Sequence, residues 1–352
     1  MSSINTWHGK VMSLAEAPKN LPENPRGRLG VERDDVLSSL LSRIRLSGSL
    51  QFCFMPSGDW QTDGVPAMSR LAARANGAMP FHVVVEGECW LKMDGIEASL
   101  EAGDVVLFPF GTGHQLGSGS NGRLVLPTRD LPPKPWRDIP MLRYGEEQRP
   151  SRLLCGYLQC DTLGFAPLRD ALPTLIHVRT RGANDLSWMS ATISQMVAEV
   201  DRPRAGGVAM LGRLTEILFI EILRHRMTTA KTPGDRGWLA ALADPALTRC
   251  LSLLHAAPDQ DWSIEALALA SGLSRSSLSE RFRIVLNTSP IRYLRDWRLY
   301  LASQSLLSAD QSITAIAYQA GYATEAAFSR AFSRCFGSPP AAWRSEIATE
   351  TA

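Results

Sequence analysis

From about Leu50 to Val125 the apolar residues come in short runs broken by glycine and turn formers. This texture predicts strands at Leu50–Phe54, Phe81–Glu86, Cys89–Met93, Val105–Phe108 and Leu124–Leu126, hence a barrel or sandwich. Asp94-Gly95 lies between two alternating runs and predicts a hairpin turn, where two successive positive φ angles are needed. Leu131–Pro150, rich in proline and charge, reads as a loop, and Ser151–Cys160 as a return to strand. After Pro173 the period becomes helical, with helices over Trp188–Val200 and Val208–Met227. In the second, Leu211, Leu214, Leu218 and Ile222 form one stripe. Met210, Ile217, Phe219, Ile220 and Leu223 widen it beyond what one core-facing side needs. The first 33 residues are polar and interrupted by Pro18, Pro22 and Pro25, which reads as a disordered tail. Val36, Leu37, Leu40, Leu41 and Ile44 then give a helical stripe over Asp34–Ile44. Lys231–Gly237 reads as a linker, and everything beyond it looks helical up to Arg344.

That last segment carries the strongest pattern. Ser263 is a good N-cap for a helix beginning at Ile264, and Ala266 to Ala270 are strong helix formers. Gly272 supplies the left-handed residue that a tight turn between helices needs. Ser274 then caps a second helix from Arg275 to about Leu286. Leu278 and Phe282, four apart, point inward, while Arg275, Ser276, Ser279, Glu280 and Arg283 face outward. The arrangement recurs 49 residues later. Ser312 opens a helix, Ala320-Gly321-Tyr322 makes the turn, and Thr324 caps a helix to about Phe336. Phe328 and Phe332 stand where Leu278 and Phe282 stood, with Glu325, Ala326, Ser329, Arg330 and Arg334 outward. Pro290 opens a helix between the units. Two helix-turn-helix units on one connecting helix suit contact with adjacent major grooves, about 34 Å apart.

These residues resemble the AraC/XylS family of transcription regulators over about Leu247 to Arg344. The most diagnostic stretch runs from Ile313, Ile316 and Ala317 through Gly321-Tyr322 and Phe328-Ser329-Arg330 to Phe332. It continues with Gly337, Pro340 and Trp343-Arg344. Ser289-Pro290 with Tyr293-Leu294 fits the family's entry to the connecting helix. Asn287 departs from the family's usual glycine, but asparagine tolerates the left-handed conformation. The resemblance implies base-facing positions at Ser276, Ser279 and Glu280, and at Glu325, Ala326, Ser329 and Arg330. Arg275, Arg281, Arg283 and Arg334 are candidates for phosphate contact. Glu280 has two readings: accepting from a cytosine amino group, or pairing with a neighbouring arginine.

Charge narrows the picture only locally. The formal net charge of the 352 residues is +2, so bulk charge does not mark a nucleic-acid binder. From Trp238 to Arg344 there are ten arginines, eight acids and no lysine, so non-specific binding is expected to be modest and salt-sensitive. No apolar run is long enough to span a bilayer, and the N-terminus has no basic-then-apolar leader. The six cysteines are dispersed rather than clustered as in a secreted scaffold, which fits a reducing, cytoplasmic setting.

The N-terminal half resembles the cupin domains that many AraC-type regulators carry as sensors, over about Ser49 to Val125. The resemblance rests on Phe81-His82-Val83-Val84-Val85-Glu86-Gly87, Gly95, Ala102-Gly103-Asp104 to Pro109, Gly111 and His114. Leu154-Cys155-Gly156-Tyr157 and Pro173 extend it. A metal cupin needs three or four converging ligands. Here only His82 and His114 fall in the motifs and position 84 is valine, so no metal or cofactor is expected. A pocket for a small effector is expected instead, with Trp60, His82, Trp90 and His114 as candidate lining residues. Cys53, Cys89, Cys155 and Cys160 offer a rival sensing mode by oxidation, against the alternative of inert buried thiols.

The sequence thus implies an α+β chain: a cupin-like β-barrel with flanking helices, then an all-α tandem helix-turn-helix domain. The expected divisions are a tail over 1–33, a sensor over 34–185, a helical dimerisation segment over 186–230, a linker over 231–237 and the DNA-binding domain over 238–346. The expected activity is that of a transcription regulator, an activator by resemblance. It would be controlled by a small molecule or an oxidant, bind promoter DNA, contact RNA polymerase and pair with a second copy. It is not expected to be an enzyme or to meet a membrane.

Overall fold

The computed structural model of the chain describes residue 38 and residues 46–64, 78–145, 151–160, 172–181, 186–229, 237–307 and 311–350. The tail, most of the helix expected over Asp34–Ile44 and residues 231–236 of the expected linker lie outside the described residues. Among the described residues, eleven strands form two sheets. They are β1 (Leu46–Pro56), β2 (Trp60–Asp63), β3 (Ala78–Glu86), β4 (Glu88–Met93), β5 (Ile96–Glu101) and β6 (Asp104–Leu107). Next come β7 (Gln115–Ser118), β8 (Arg123–Leu124), β9 (Met141–Tyr144), β10 (Arg152–Cys160) and β11 (Ile176–Arg179). The larger sheet runs β11-β6-β3-β10-β1-β9 and the smaller β5-β4-β7-β2-β8. Asp94 and Gly95 have φ of 40° and 78°, the left-handed pair that the β4–β5 hairpin needs.

Two readings of the sequence change here. Leu131–Pro150 is not all loop, because β9 pairs in parallel with β1. Ile176–Arg179 is a strand on β6, not the start of a helix. Both are four-residue segments, too short for periodicity to distinguish from their surroundings.

The larger sheet is buried on both faces, which is why its strands read as nearly continuous apolar runs. Phe52, Phe54, Val84, Val106, Phe108, Leu153 and Cys155 face the smaller sheet, where they meet Trp60, Cys89, Leu91, Met93, Leu100 and Leu116. Their neighbours Cys53, Phe81, Val83, Val105, Leu107 and Leu154 face the other way, onto helices. Those helices are α1 (Ser187–Asp201) and α2 (Gly207–Thr229). The backbones of β1 and α2 nearly touch. A Cβ on Gly48 would lie 2.6 Å from the Gly212 carbonyl oxygen, so glycine is required at this crossing. Buried Arg152 ties the end of α1 to β10: its guanidinium holds both Asp201 oxygens, at 2.5 and 3.2 Å.

The C-terminal half is α3 (Trp238–Ala243), α4 (Pro245–Ala256), α5 (Ile264–Ala270), α6 (Arg275–Leu286), α7 (Pro290–Ser305), α8 (Ile313–Gln319), α9 (Glu325–Phe336) and α10 (Pro340–Glu350). Its core is divided. The first part, with Trp238, Leu267, Leu278, Phe282, Tyr293 and Trp297, is continuous with the core under α1 and α2. The second, with Leu299, Ala302, Leu306, Ile316, Phe328 and Phe332, is separate. Within the first, the buried Tyr293 hydroxyl accepts from Trp238 Nε1 at 2.8 Å and lies 2.7 Å from His255 Nε2. Burial without water is tolerable for these polar groups because each finds a partner.

Candidate functional site

The two helix-turn-helix units form as the residues dictate. Ser263, Ser274, Ser312 and Thr324 each accept a hydrogen bond from the backbone N–H three residues on, as N-caps do. Gly272 and Gly321 turn the chain at φ of 70° and 80°. Asn287 sits at φ 50°, in the left-handed conformation its replacement of glycine requires. Leu278, Phe282, Phe328 and Phe332 are fully buried. The outward face of α6 therefore presents Arg275, Ser276, Glu280, Arg281 and Arg283 as exposed residues and Ser279 as half-buried. On α9, Glu325, Ala326, Arg330 and Arg334 are exposed and Ser329 is half-buried.

The electrostatics of the two units differ. In the first, Arg275 pairs with Glu265 at 2.8 Å, Arg281 with Asp244 at 2.6 Å, and Arg283 with Glu280 at 2.5 Å. The Arg283 hydrogen bond holds the Glu280 carboxyl below the usual carboxylate range. Without DNA, Glu280 is paired with Arg283. In the second unit the Thr314 hydroxyl donates to Glu325. Among the described residues, Arg330 and Arg334 are in no ion pair. Exposed pairs such as these are weak, so phosphate groups can displace them.

In the sensor half, His82 and His114 come together in the space between the sheets. Their Nε2 atoms lie 2.9 Å apart, His82 Nδ1 is 3.0 Å from Cys155 Sγ, and His114 Nδ1 is 3.0 Å from the Thr112 carbonyl oxygen. Phe108 stacks on His114 at 3.6 Å. Burial pushes the His114 imidazole down to about 4, and His82 well below the usual range. Trp60 is buried against Phe54, edge to face. Trp90 lies on the outer face of β4, with Lys92 over its ring and its indole N–H donating to the Gly119 carbonyl. Trp90 is therefore not brought together with the two histidines. Among the described residues, no three histidine, cysteine or acidic side chains converge as metal ligands.

A pocket of about 30 Å³ lies between the sheets, lined by Phe52, Phe54, His82, Leu116 and Cys155 among others. That holds about one water, far less than the ~300 Å³ of a small-molecule site. An open groove of about 470 Å³ lies at the β4–β5 hairpin, with His114 at its floor and Asp63, Lys92, Ile96, Glu97 and Gln115 among its walls. Cys53, Cys89 and Cys155 are buried, and desolvation raises each thiol, Cys89 to about 12. Cys160 ends β10.

The comparisons with known proteins follow this division. A family model described as Cupin matches residues 35–228, more than half of the chain, and one described as Helix-turn-helix domain matches residues 267–346. The HTH-type transcriptional regulator AlkR of Acinetobacter baylyi is 28% identical over 89% of this chain and 99% of its own. A putative AraC-like transcription regulator of Streptomyces lividans is 29% identical over 88% of this chain and 97% of its own. The RCS-specific HTH-type transcriptional activator RclR of Escherichia coli is 24% identical over 89% of this chain and 98% of its own. These relatives are transcription regulators rather than enzymes, and they align with both halves. The chain belongs to the AraC-type DNA-binding transcription regulators that carry an N-terminal cupin domain.

Proposed function

We propose that this regulator is an activator whose cupin half receives a chemical signal and whose tandem units bind a promoter. The working divisions are a tail over 1–33, a sensor over 34–185, a dimerisation segment over 186–230, a linker over 231–237 and a DNA-binding domain over 238–346. The observation that carries the reading is the continuous core from the sensor sheet through α1, α2 and α3 to the first unit. Gly237 N–H also donates to the Val285 carbonyl at the end of α6, at 2.6 Å. A change of packing in the sensor has a physical route to a reading helix. A small effector would enter at the 470 Å³ groove, since the pocket between the sheets, about 30 Å³, is too small to take one. Base contacts come from Ser276, Ser279, Glu280, Glu325, Ala326, Ser329 and Arg330, and phosphate contacts from Arg275, Arg281, Arg283 and Arg334.

Although Phe219 and Leu223 of the stripe read from the sequence are buried in the core, Trp188 on α1 and Val208, Met210 and Ile217 on α2 are exposed. They support pairing with a second copy, and the complex on DNA would recruit RNA polymerase in the cytoplasm. Oxidation at Cys53, Cys89, Cys155 or Cys160 remains the rival signal. The relative named RCS-specific favours it, and the raised thiol pKa values oppose it, because thiolate is the reactive form. A third mode, control by abundance alone, draws support from the small size of the pocket between the sheets. Promoter-reporter output measured with the wild type and with all four cysteines changed to serine separates these. Loss of an oxidant response in the variant assigns the signal to the thiols, and an unchanged response removes them. Output that follows protein level under every condition tested removes the sensor reading.

A further inference from the structure

The base-facing residues explain what each unit reads but not how the two are held at a fixed spacing. The helix α7 joins them, and it passes from one core to the other: Trp297 belongs to the first and Leu299 to the second. Arg298 lies between them. Its Nε donates to the Pro258 carbonyl at 2.5 Å and one terminal nitrogen to the Gln260 carbonyl at 2.9 Å. Both carbonyls belong to the loop between α4 and α5 in the first unit. That loop is itself held, since Trp262 N–H donates to the Gln260 carbonyl and Trp262 Nε1 to the Ala257 carbonyl. The other terminal nitrogen of Arg298 faces the second unit. It lies 2.7 Å from where a Cβ on Gly321 would be, at the turn between α8 and α9. Gly321 is thus required twice, by its φ of 80° and by the guanidinium against it.

We infer that Arg298 is the positioning residue that sets the separation and rotation of the two reading helices, and so the operator spacing this protein accepts. A planar guanidinium presents three nitrogens in one rigid plane. Two grip the first unit while the third lies against the turn that leads into α9. Lysine has a single nitrogen and cannot do both. Arg298 itself reads no base.

The test uses the full-length protein and a duplex recovered from random sequences by selection with the wild type. Companion duplexes have one or two base pairs inserted between the segments protected by the two units. Each inserted pair moves the second segment by about 3.4 Å and about 35°. The wild type should lose at least tenfold in affinity on the inserted duplexes. Arg298→Ala should bind the selected duplex about tenfold more weakly than wild type but lose less than threefold on insertion, because a loosened pair of units tolerates altered spacing. Arg298→Lys and Gly321→Ala should show the same flattening, and they carry the comparison if Arg298→Ala does not fold. A uniform loss on all duplexes, or a spacing profile unchanged from wild type in the folded variants, overturns the assignment.

Discussion

Nε2 of His82 and Nε2 of His114 lie 2.9 Å apart, and a single backbone carbonyl decides which of them carries the hydrogen. The Thr112 oxygen can only accept, so His114 Nδ1 is the protonated nitrogen and its Nε2 is bare. His82 Nε2 must then donate to it, which leaves His82 Nδ1 to accept from the Cys155 thiol. The chain of bonds uses every polar atom of both neutral rings.

This network predicts a pH dependence of stability. Burial depresses His114 to about 4 and His82 below its ordinary range, with the neighbouring ring adding to the effect on His82. The unfolded chain takes up these protons near pH 6.5. Stability is therefore fully present above about pH 6.5 and is lost as pH falls towards about 4. His114 alone accounts for up to about 3 kcal/mol. Urea midpoints at pH 7.5 and 5 should fall less in His114→Gln than in the wild type. Equal falls in the two proteins would contradict the network.

The left-handed residue after α6 makes a second prediction. Asn287 holds φ 50° where glycine is strain-free. Asn287→Gly should be within about 1 kcal/mol of wild type, while Asn287→Ala should cost about 1 kcal/mol or more, because it keeps the Cβ but loses the short polar side chain that lets asparagine tolerate that conformation. Thermal unfolding measured on both variants checks the order, and equal costs would be contrary to it.

The crossing of β1 and α2 predicts a larger loss. Gly48→Ala places a methyl 2.6 Å from both the Gly212 oxygen and Thr215 Cβ. Backbone cannot swing aside as a side chain can, so about 1–3 kcal/mol should be lost. A Gly48→Ala variant as stable as the wild type would show that the two elements are not packed this closely.

Much of this was legible in the sequence, and for stated reasons. Caps and turn glycines are local, so Ser263, Ser274, Gly272 and their counterparts around Gly321 located both helix-turn-helix units. Alternation exposed the β4–β5 hairpin. What escaped depends on contacts distant along the chain. The strand at Ile176–Arg179 exists because β6 offers it an edge. Trp90 is an exception, since its parity with Lys92 on β4 is a local signal that already turns it outward. Arg298 gave no local signal, because its partners are 38 and 40 residues away and its third neighbour is a glycine.

The unpaired arginines of α9 predict a split in DNA binding. Arg334→Ala should weaken binding about equally on all duplexes and reduce the salt slope by about 1, as loss of a phosphate contact does. Arg330→Ala should cost about 1–3 kcal/mol on the selected site and relax preference at one base position. Titrations at several salt concentrations, on the selected duplex and on a scrambled one, separate the two. Identical behaviour of the variants would remove the distinction.

Genome-wide DNA occupancy of the wild type beside an Arg330→Ala, Ser276→Ala double variant tests the central claim most directly. One change falls on each exposed reading helix, and both positions are away from the cores. The wild type should gather at a small set of promoters and the double variant should not, at equal protein level. Wild-type protein that concentrates at no site under several stress conditions, or a double variant with the same peaks, would contradict the reading of α6 and α9 as the helices that select DNA.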